Sequence, residues 1–164
     1  MTTRTRAWEV AAGTPDPELP ALTIGDLGIL RAVDETADGV EVTITPTYSG
    51  CPALREITAD LEARLRAAGA QRVEIRVRLA PAWTSDWITP DGRRRLLLAG
   101  IAPPAPAPHR GGPVPLTLTA GPSVTCPRCG SADTAVTAPF SATACKSLHR
   151  CHACAEPFEA VKPL

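Results

Sequence analysis

The sequence predicts a small α+β domain, a mixed sheet with helices on one face, followed by a second unit organised by cysteines. Two observations predict it. Between residues 26 and 79 the apolar positions alternate, then recur at helical spacing, then alternate again, which is the order β-β-α-β. Near the carboxyl end, Cys126-Pro-Arg-Cys129 and Cys151-His-Ala-Cys154 form two Cys-x₂-Cys pairs with 21 residues between Cys129 and Cys151.

A chain of 164 residues holds one ordinary domain and a small appendage. Lys+Arg and Asp+Glu both count 17, so no net charge draws the chain to nucleic acid or to an anionic membrane. No apolar run nears the roughly 18 residues that a membrane-spanning helix needs. The first eight residues, Met1 to Trp8, lack the apolar region of a secretory signal. A cytoplasmic protein is expected, and there six cysteines point to metal or thiol chemistry rather than to disulfides.

The elements follow in order. Residues 6–12 read as a short helix stopped by Gly13. Asp16-Pro17-Glu18-Leu19-Pro20 punctuates the backbone, and Asp16 reads first as a cap rather than a ligand. Residues 26–33 read as a first strand, with Leu27, Ile29, Arg31 and Val33 on one side, and Asp38-Gly39 as a hairpin turn into a strand over 40–45. Leu54, Ile57, Leu61, Leu65 and Ala68 form the apolar stripe of a helix over 53–68. Asp60 with Arg64 and Glu62 with Arg66 are supporting i,i+4 pairs, and Gly69 is the stop. Val73, Ile75, Val77 and Leu79 alternate with charged residues as a third strand. Trp83 and Trp87 read as a lid over the core, a reading compatible with a wall beside Cys51. Thr89 caps a last helix from Pro90 to about Ala99, which Gly100 ends. Prolines then crowd the chain, so residues 101–121 read as a semi-extended linker with His109 as an exposed spacer. The expected division is 1–100, 101–121 and 122–164.

The second strand and the central helix are joined by Ile44-Thr-Pro-Thr-Tyr-Ser-Gly-Cys51-Pro52. Pro52 suits a first helical position, which places Cys51 at the N-cap. Backbone N–H groups and the positive end of the helix dipole would then favour its thiolate. The competing reading is a small buried hydrophobe beneath the loop.

The two knuckles near the carboxyl end supply Cys126, Cys129, Cys151 and Cys154. A two-residue turn aims both sulfurs of a pair at one point, and four thiolates suit a closed tetrahedral zinc site. Iron or an iron–sulfur cluster is the other ion such a set holds. So few aliphatic side chains accompany these cysteines that the segment needs the ion to fold. Cys145, His149 and His152 are substitute ligands that the knuckle geometry disfavours. From 120 to 164 there are four basic and three acidic residues, and zinc with four thiolates adds about −2. That slightly acidic ribbon lacks the basic face of a nucleic-acid reader.

Asp16-Pro-Glu-Leu-Pro20, Asp26-Leu-Gly-Ile29, Thr43 to Pro52 and Pro81-Ala-Trp-Thr-Ser-Asp-Trp87 resemble the domain shared by iron–sulfur assembly factors such as SufT and their eukaryotic relatives. Cys126-Pro-Arg-Cys-Gly130, Phe140-Ser-Ala-Thr-Ala-Cys-Lys-Ser147, Arg150-Cys151, Glu156-Pro-Phe158 and Lys162-Pro163 are not general to that group. Together the two sets resemble the PaaD family of accessory proteins in bacterial phenylacetate degradation, over nearly the whole chain.

The resemblance implies a role beside a phenylacetyl-CoA epoxidase, with its di-iron oxygenase and [2Fe–2S] reductase as partners. It also implies that Cys51 is the functional thiol, handling transient iron or an iron–sulfur cluster, with Asp16 and Glu18 as accessory residues; Cys145 is a further accessory candidate, read from its place among the ribbon thiols. One thiolate cannot hold a cluster alone, so further ligands would come from a partner or across a homodimer. Two classes stay open: a maturation factor, and a non-catalytic adaptor that stabilises the oxygenase. An enzyme acting on its own is not expected, because no histidine is near Cys51 in sequence and no di-iron or nucleotide motif is present.

Overall fold

A computed structural model describes residues 5–107 and 124–164, and these residues divide into two compact units. The first comprises Met1–Trp83 and Trp87–Gly92; the second comprises Thr84–Asp86 and Arg93–Leu164. The α+β class read from the sequence holds.

In the first unit, α1 (Arg6–Ala12) starts where Thr5 Oγ1 accepts the Trp8 N–H, and Gly13 ends it. Strands β1 (Leu30–Thr36) and β2 (Gly39–Ile44) form the hairpin expected at Asp38-Gly39, and β3 (Val73–Val77) lies parallel to β2. The sheet order is β1-β2-β3. Helix α2 (Leu54–Ala67) makes the crossover between β2 and β3, as a parallel pair requires. Its stripe of Ile57, Leu61 and Leu65 is buried. The core also takes Val42 and Ile44 from the sheet and Leu22, Ile24, Leu27 and Ile29 from the segment before β1. Helix α1 packs on β1 and α2, and α2 packs on β3.

Local chemistry sets the ends of these elements. Gly69, at φ +108, lets its own N–H reach Arg66 O while the Ala70 N–H reaches Leu65 O, closing α2 in a Schellman motif. The pairs Asp60–Arg64 and Glu62–Arg66 both close at 2.7 Å. The sheet also carries polar side chains, where Arg76 bridges Glu41 at 2.8 Å and Glu74 at 3.0 Å.

Three boundaries differ from expectation. The first strand begins at Leu30, not at residue 26. Thr23 and Asp26 cap each other's backbone N–H groups at 3.1 Å, so residues 23–28 form a turn that buries Leu27 without a strand. The third strand ends at Val77, leaving Leu79 exposed. The expected linker starts too early, because Ile101–Ala102 is a strand of the second unit. The rest of that linker, with His109, lies largely outside the described residues.

Helix α3 (Pro90–Leu98) has Thr89 Oγ1 accepting the Gly92 N–H at 3.0 Å, the expected cap. In the second unit, β4 (Ile101–Ala102), β5 (Thr134–Ala138), β6 (Lys146–Cys151) and β7 (Pro157–Val161) form a sheet of order β4-β7-β6-β5. Arg93 donates to Pro104 O at 2.7 Å and to Ser85 O at 2.9 Å, which ties down the segment after β4. The buried cluster is small: Ala102, Cys126, Cys151, Phe158 and Ala160, with Val124 against it.

Candidate functional site

Cys51 lies where the chain leaves β2 for α2. The Cys51 N–H donates to Tyr48 O and the Leu54 N–H to Cys51 O, both at 3.2 Å. These are two successive tight turns, so the helix proper starts at Leu54 and the cap position falls to Ala53. The expected N-cap at Cys51 is thus corrected by two residues, to Ala53. Its sulfur nonetheless receives the backbone N–H groups of Ala53 and Leu54, and the residue is half-buried.

The expected bias toward thiolate is also corrected. Burial pushes the Cys51 thiol above the ordinary cysteine range, the Ala53 N–H opposes this, and the carboxylates of Glu18 and Asp16 push it up further. Two N–H groups do not outweigh lost hydration and two negative charges. The same surroundings invert in the presence of a cation: carboxylates that penalise a bare thiolate favour a positive ion beside the sulfur.

Asp16 has the capping role read for it. Its Oδ1 accepts the N–H groups of Glu18 at 2.9 Å and Leu19 at 2.8 Å, and its side chain is buried. A groove of about 220 Å³ runs between this loop and the first turns of α2, lined by Pro15, Asp16, Pro17, Pro20, Glu56, Ile57 and Asp60. The two tryptophans pack on the segment leading into β1. Trp83 is buried and donates its indole N–H to Leu27 O at 2.9 Å. Trp87 lies beneath Arg31, whose Cζ is 3.6 Å from the ring centroid. Gly28, at φ +68, is required there, because a Cβ would stand 2.6 Å from Trp87.

The four knuckle cysteines converge. Their sulfurs all lie within 4.8 Å of one another, with Cys126 to Cys154 at 3.8 Å and Cys129 to Cys151 at 3.6 Å. A tetrahedron of sulfurs about 2.3 Å from zinc has edges of about 3.8 Å, so the set fits that ion. Each knuckle turns through a left-handed residue after its second cysteine: Gly130 at φ +74 and Ala155 at φ +62. Backbone N–H groups face the sulfurs and favour their ionised form. The N–H of Cys154 leads in drawing Cys151 down to about 7. The Ser131 N–H acts in the same sense on Cys129, yet Cys129 rises to about 12 because its hydrogen bond to Cys151 retains the proton. Four thiols this close ionise together only around a cation.

The remaining candidates stand apart from this cluster. Cys145 is buried, with its sulfur 3.2 Å from Thr143 Oγ1. His149 is buried, stacks on Phe158 at 5.5 Å and shares a 2.9 Å hydrogen bond with Ser147. His152 pairs with Asp133 at 3.0 Å. Sequence reasoning missed a part-buried polar group beside them, in which Glu159 holds the buried Lys146 at 2.8 Å and accepts the Ser141 hydroxyl. A lysine within a strand of a metal knuckle, with a glutamate in the next strand, was the available signal.

Comparison with known proteins follows the same division. Residues 11–77 match the model of an iron–sulfur cluster assembly protein family, and residues 111–162 match that of the PaaD zinc beta ribbon domain. A crystal structure of a domain of unknown function, DUF59, from Bacillus anthracis is similar at 23% identity. The match covers 56% of this chain and 88% of that one, with a TM-score of 0.52, and supports the fold. An Escherichia coli K12 protein that is named for a component of 1,2-phenylacetyl-CoA epoxidase is 43% identical over 156 residues, covering 94% of this chain and 90% of that protein. With an assembly-factor domain, a four-cysteine ribbon and this likeness running through both, the chain belongs to the PaaD family.

Proposed function

We propose that the chain is an accessory and maturation factor of a phenylacetyl-CoA epoxidase complex in aerobic phenylacetate breakdown. It assists assembly of an iron or iron–sulfur centre through Cys51. The observation that carries this reading is the setting of that sulfur: half-exposed at a helix entry, facing two backbone N–H groups, with Glu18 and Asp16 acting on it. As iron cargo arrives, the cation displaces the thiol proton, and the two carboxylates lower the cost of its charge. The remaining ligands come from the client or a second copy, since one sulfur cannot hold a cluster.

Cys126, Cys129, Cys151 and Cys154 hold a structural zinc, which supplies folding energy rather than chemistry. The oxygenase and [2Fe–2S] reductase of the complex are the partners under this reading. Among the described residues no helix is long and apolar enough to cross a membrane.

A second reading, a non-catalytic adaptor, is favoured by the raised Cys51 thiol, which stays protonated at neutral pH without a cation. Metal analysis of anaerobically purified wild type and Cys51→Ser separates the two. Transfer predicts zinc in both, iron in the wild type alone, and loss of epoxidase activity with the complex still assembled. Full activity and client metal content in Cys51→Ser would leave the adaptor.

A further inference from the structure

The motif Phe140-Ser-Ala-Thr-Ala-Cys-Lys-Ser147 is not consumed by metal binding, since none of its residues belongs to the four-sulfur cluster. Its polar side chains instead lock one loop to the sheet. Lys146, its side chain 7% exposed, meets Glu159 Oε2 at 2.8 Å. The Ser141 hydroxyl donates to the other oxygen of Glu159. The Ser141 N–H donates to Lys146 O at 3.1 Å, and Lys162 Nζ donates to Ala144 O at 2.9 Å. An ion pair whose lysine is buried and whose glutamate is 28% exposed is a poor source of net stability, because desolvation offsets much of its attraction. What this one supplies is a loop with a single geometry.

The large apolar side chain of the motif is displayed rather than buried. Phe140 is 63% exposed, and Lys162 Nζ sits 3.8 Å from its ring centroid. A ring on a pre-ordered loop loses little conformational freedom on binding, and aromatic side chains are the usual anchors of protein interfaces. The ammonium beside it sets the chemistry of the opposing surface: the pocket that takes the ring carries carboxylate at its border. A symmetric pairing of two copies over this patch would set one Lys162 against the other, which disfavours self-association here.

We propose that Phe140, with Lys162 over its face, is the anchor by which the ribbon unit seats in an apolar, carboxylate-bordered pocket of an epoxidase component. This rests on the accessory-factor reading above. The test titrates purified oxygenase and reductase, each in turn, with full-length zinc-loaded wild type, Phe140→Ala and Lys162→Glu. Phe140→Ala weakens binding to one component by about 30-fold, as removal of an interface anchor does. Lys162→Glu weakens it by about tenfold at low salt and less at high salt. Zinc content stays unchanged in both variants, and thermal unfolding stays unchanged in Phe140→Ala.

Equal affinity of Phe140→Ala and wild type overturns the anchor and leaves the accessory reading standing. Loss of zinc or of cooperative unfolding in Phe140→Ala assigns the ring to folding and overturns it too. Self-association of the wild type that disappears in Phe140→Ala makes a second copy the occupant and rejects the client. Failure of the wild type to bind either component sinks the anchor and the accessory reading together.

Discussion

The first unit keeps one sulfur at the margin of a core built from aliphatic side chains, whereas the second keeps sulfur at the centre of a core that holds little else. Leu22, Ile24, Leu27, Ile44, Ile57, Leu61 and Leu65 are almost wholly buried in the first. In the second, two of the five residues of the buried cluster are the knuckle cysteines Cys126 and Cys151. The same element thus does different work. Under the proposed function, removing the Cys51 sulfur should change what the chain binds and spare its packing, whereas removing the Cys151 sulfur should unfold the ribbon.

The largest break in this comparison is metal removal. Chelation, or Cys151→Ala, is expected to unfold the second unit, since a structural zinc contributes on the order of 10 kcal/mol to such a fold. Hydrogen exchange checks it: amides of β5, β6 and β7 lose protection while those of β1, β2 and α2 keep theirs. Protection lost equally in both units would show that the first does not stand on its aliphatic core. The mirror experiment is Leu61→Ala, which should cost about 3–4 kcal/mol in denaturant unfolding of the first unit and leave bound zinc unchanged.

Glu159→Gln tests the part-buried Lys146–Glu159 ion pair of the ribbon, and is expected to destabilise it by about 2 kcal/mol in thermal unfolding. The pH dependence has a definite sign. Burial raises the Glu159 carboxyl, but Lys146 and Ser141 outweigh this and hold it below the usual glutamate range. Its stabilisation is therefore complete above the ordinary glutamate value of about 4.3 and is lost as pH falls through the lower folded value. The Glu159→Gln protein should show a flatter acid limb than wild type. The smallest effect is at Ala155, which occupies a left-handed conformation at φ +62. Ala155→Gly should raise the stability of the zinc-loaded ribbon by about 0.5–1 kcal/mol, read as a higher melting temperature, while Gly130→Ala should lower it.

Short-range features are legible in the chain. The hairpin at Asp38-Gly39, the stop at Gly69, the Asp60–Arg64 pair and the Thr89 cap all depend on residues within a few positions of one another. The knuckles are legible for the same reason, since a two-residue turn leaves each cysteine pair little choice of direction. The start of β1 is not, because leucine and isoleucine at alternate positions serve equally well in a buried turn, and the mutual capping of Thr23 and Asp26 decides for the turn. Nor is the cap at Cys51, because Pro52 also fits the tight turn ahead of a helix.

The sequence by itself determined the two-part plan, the α+β order, the buried stripe of α2 and the four thiols that meet. Only the tertiary structure decided the upward push on the Cys51 thiol, the strand role of Ile101–Ala102, the Lys146–Glu159 pair and the exposure of Phe140. The physical reason is range: turns, caps and knuckles are settled by neighbours along the chain. Desolvation, carboxylates brought from a distant loop, and ion pairing between strands depend on which remote segments arrive in the same small volume.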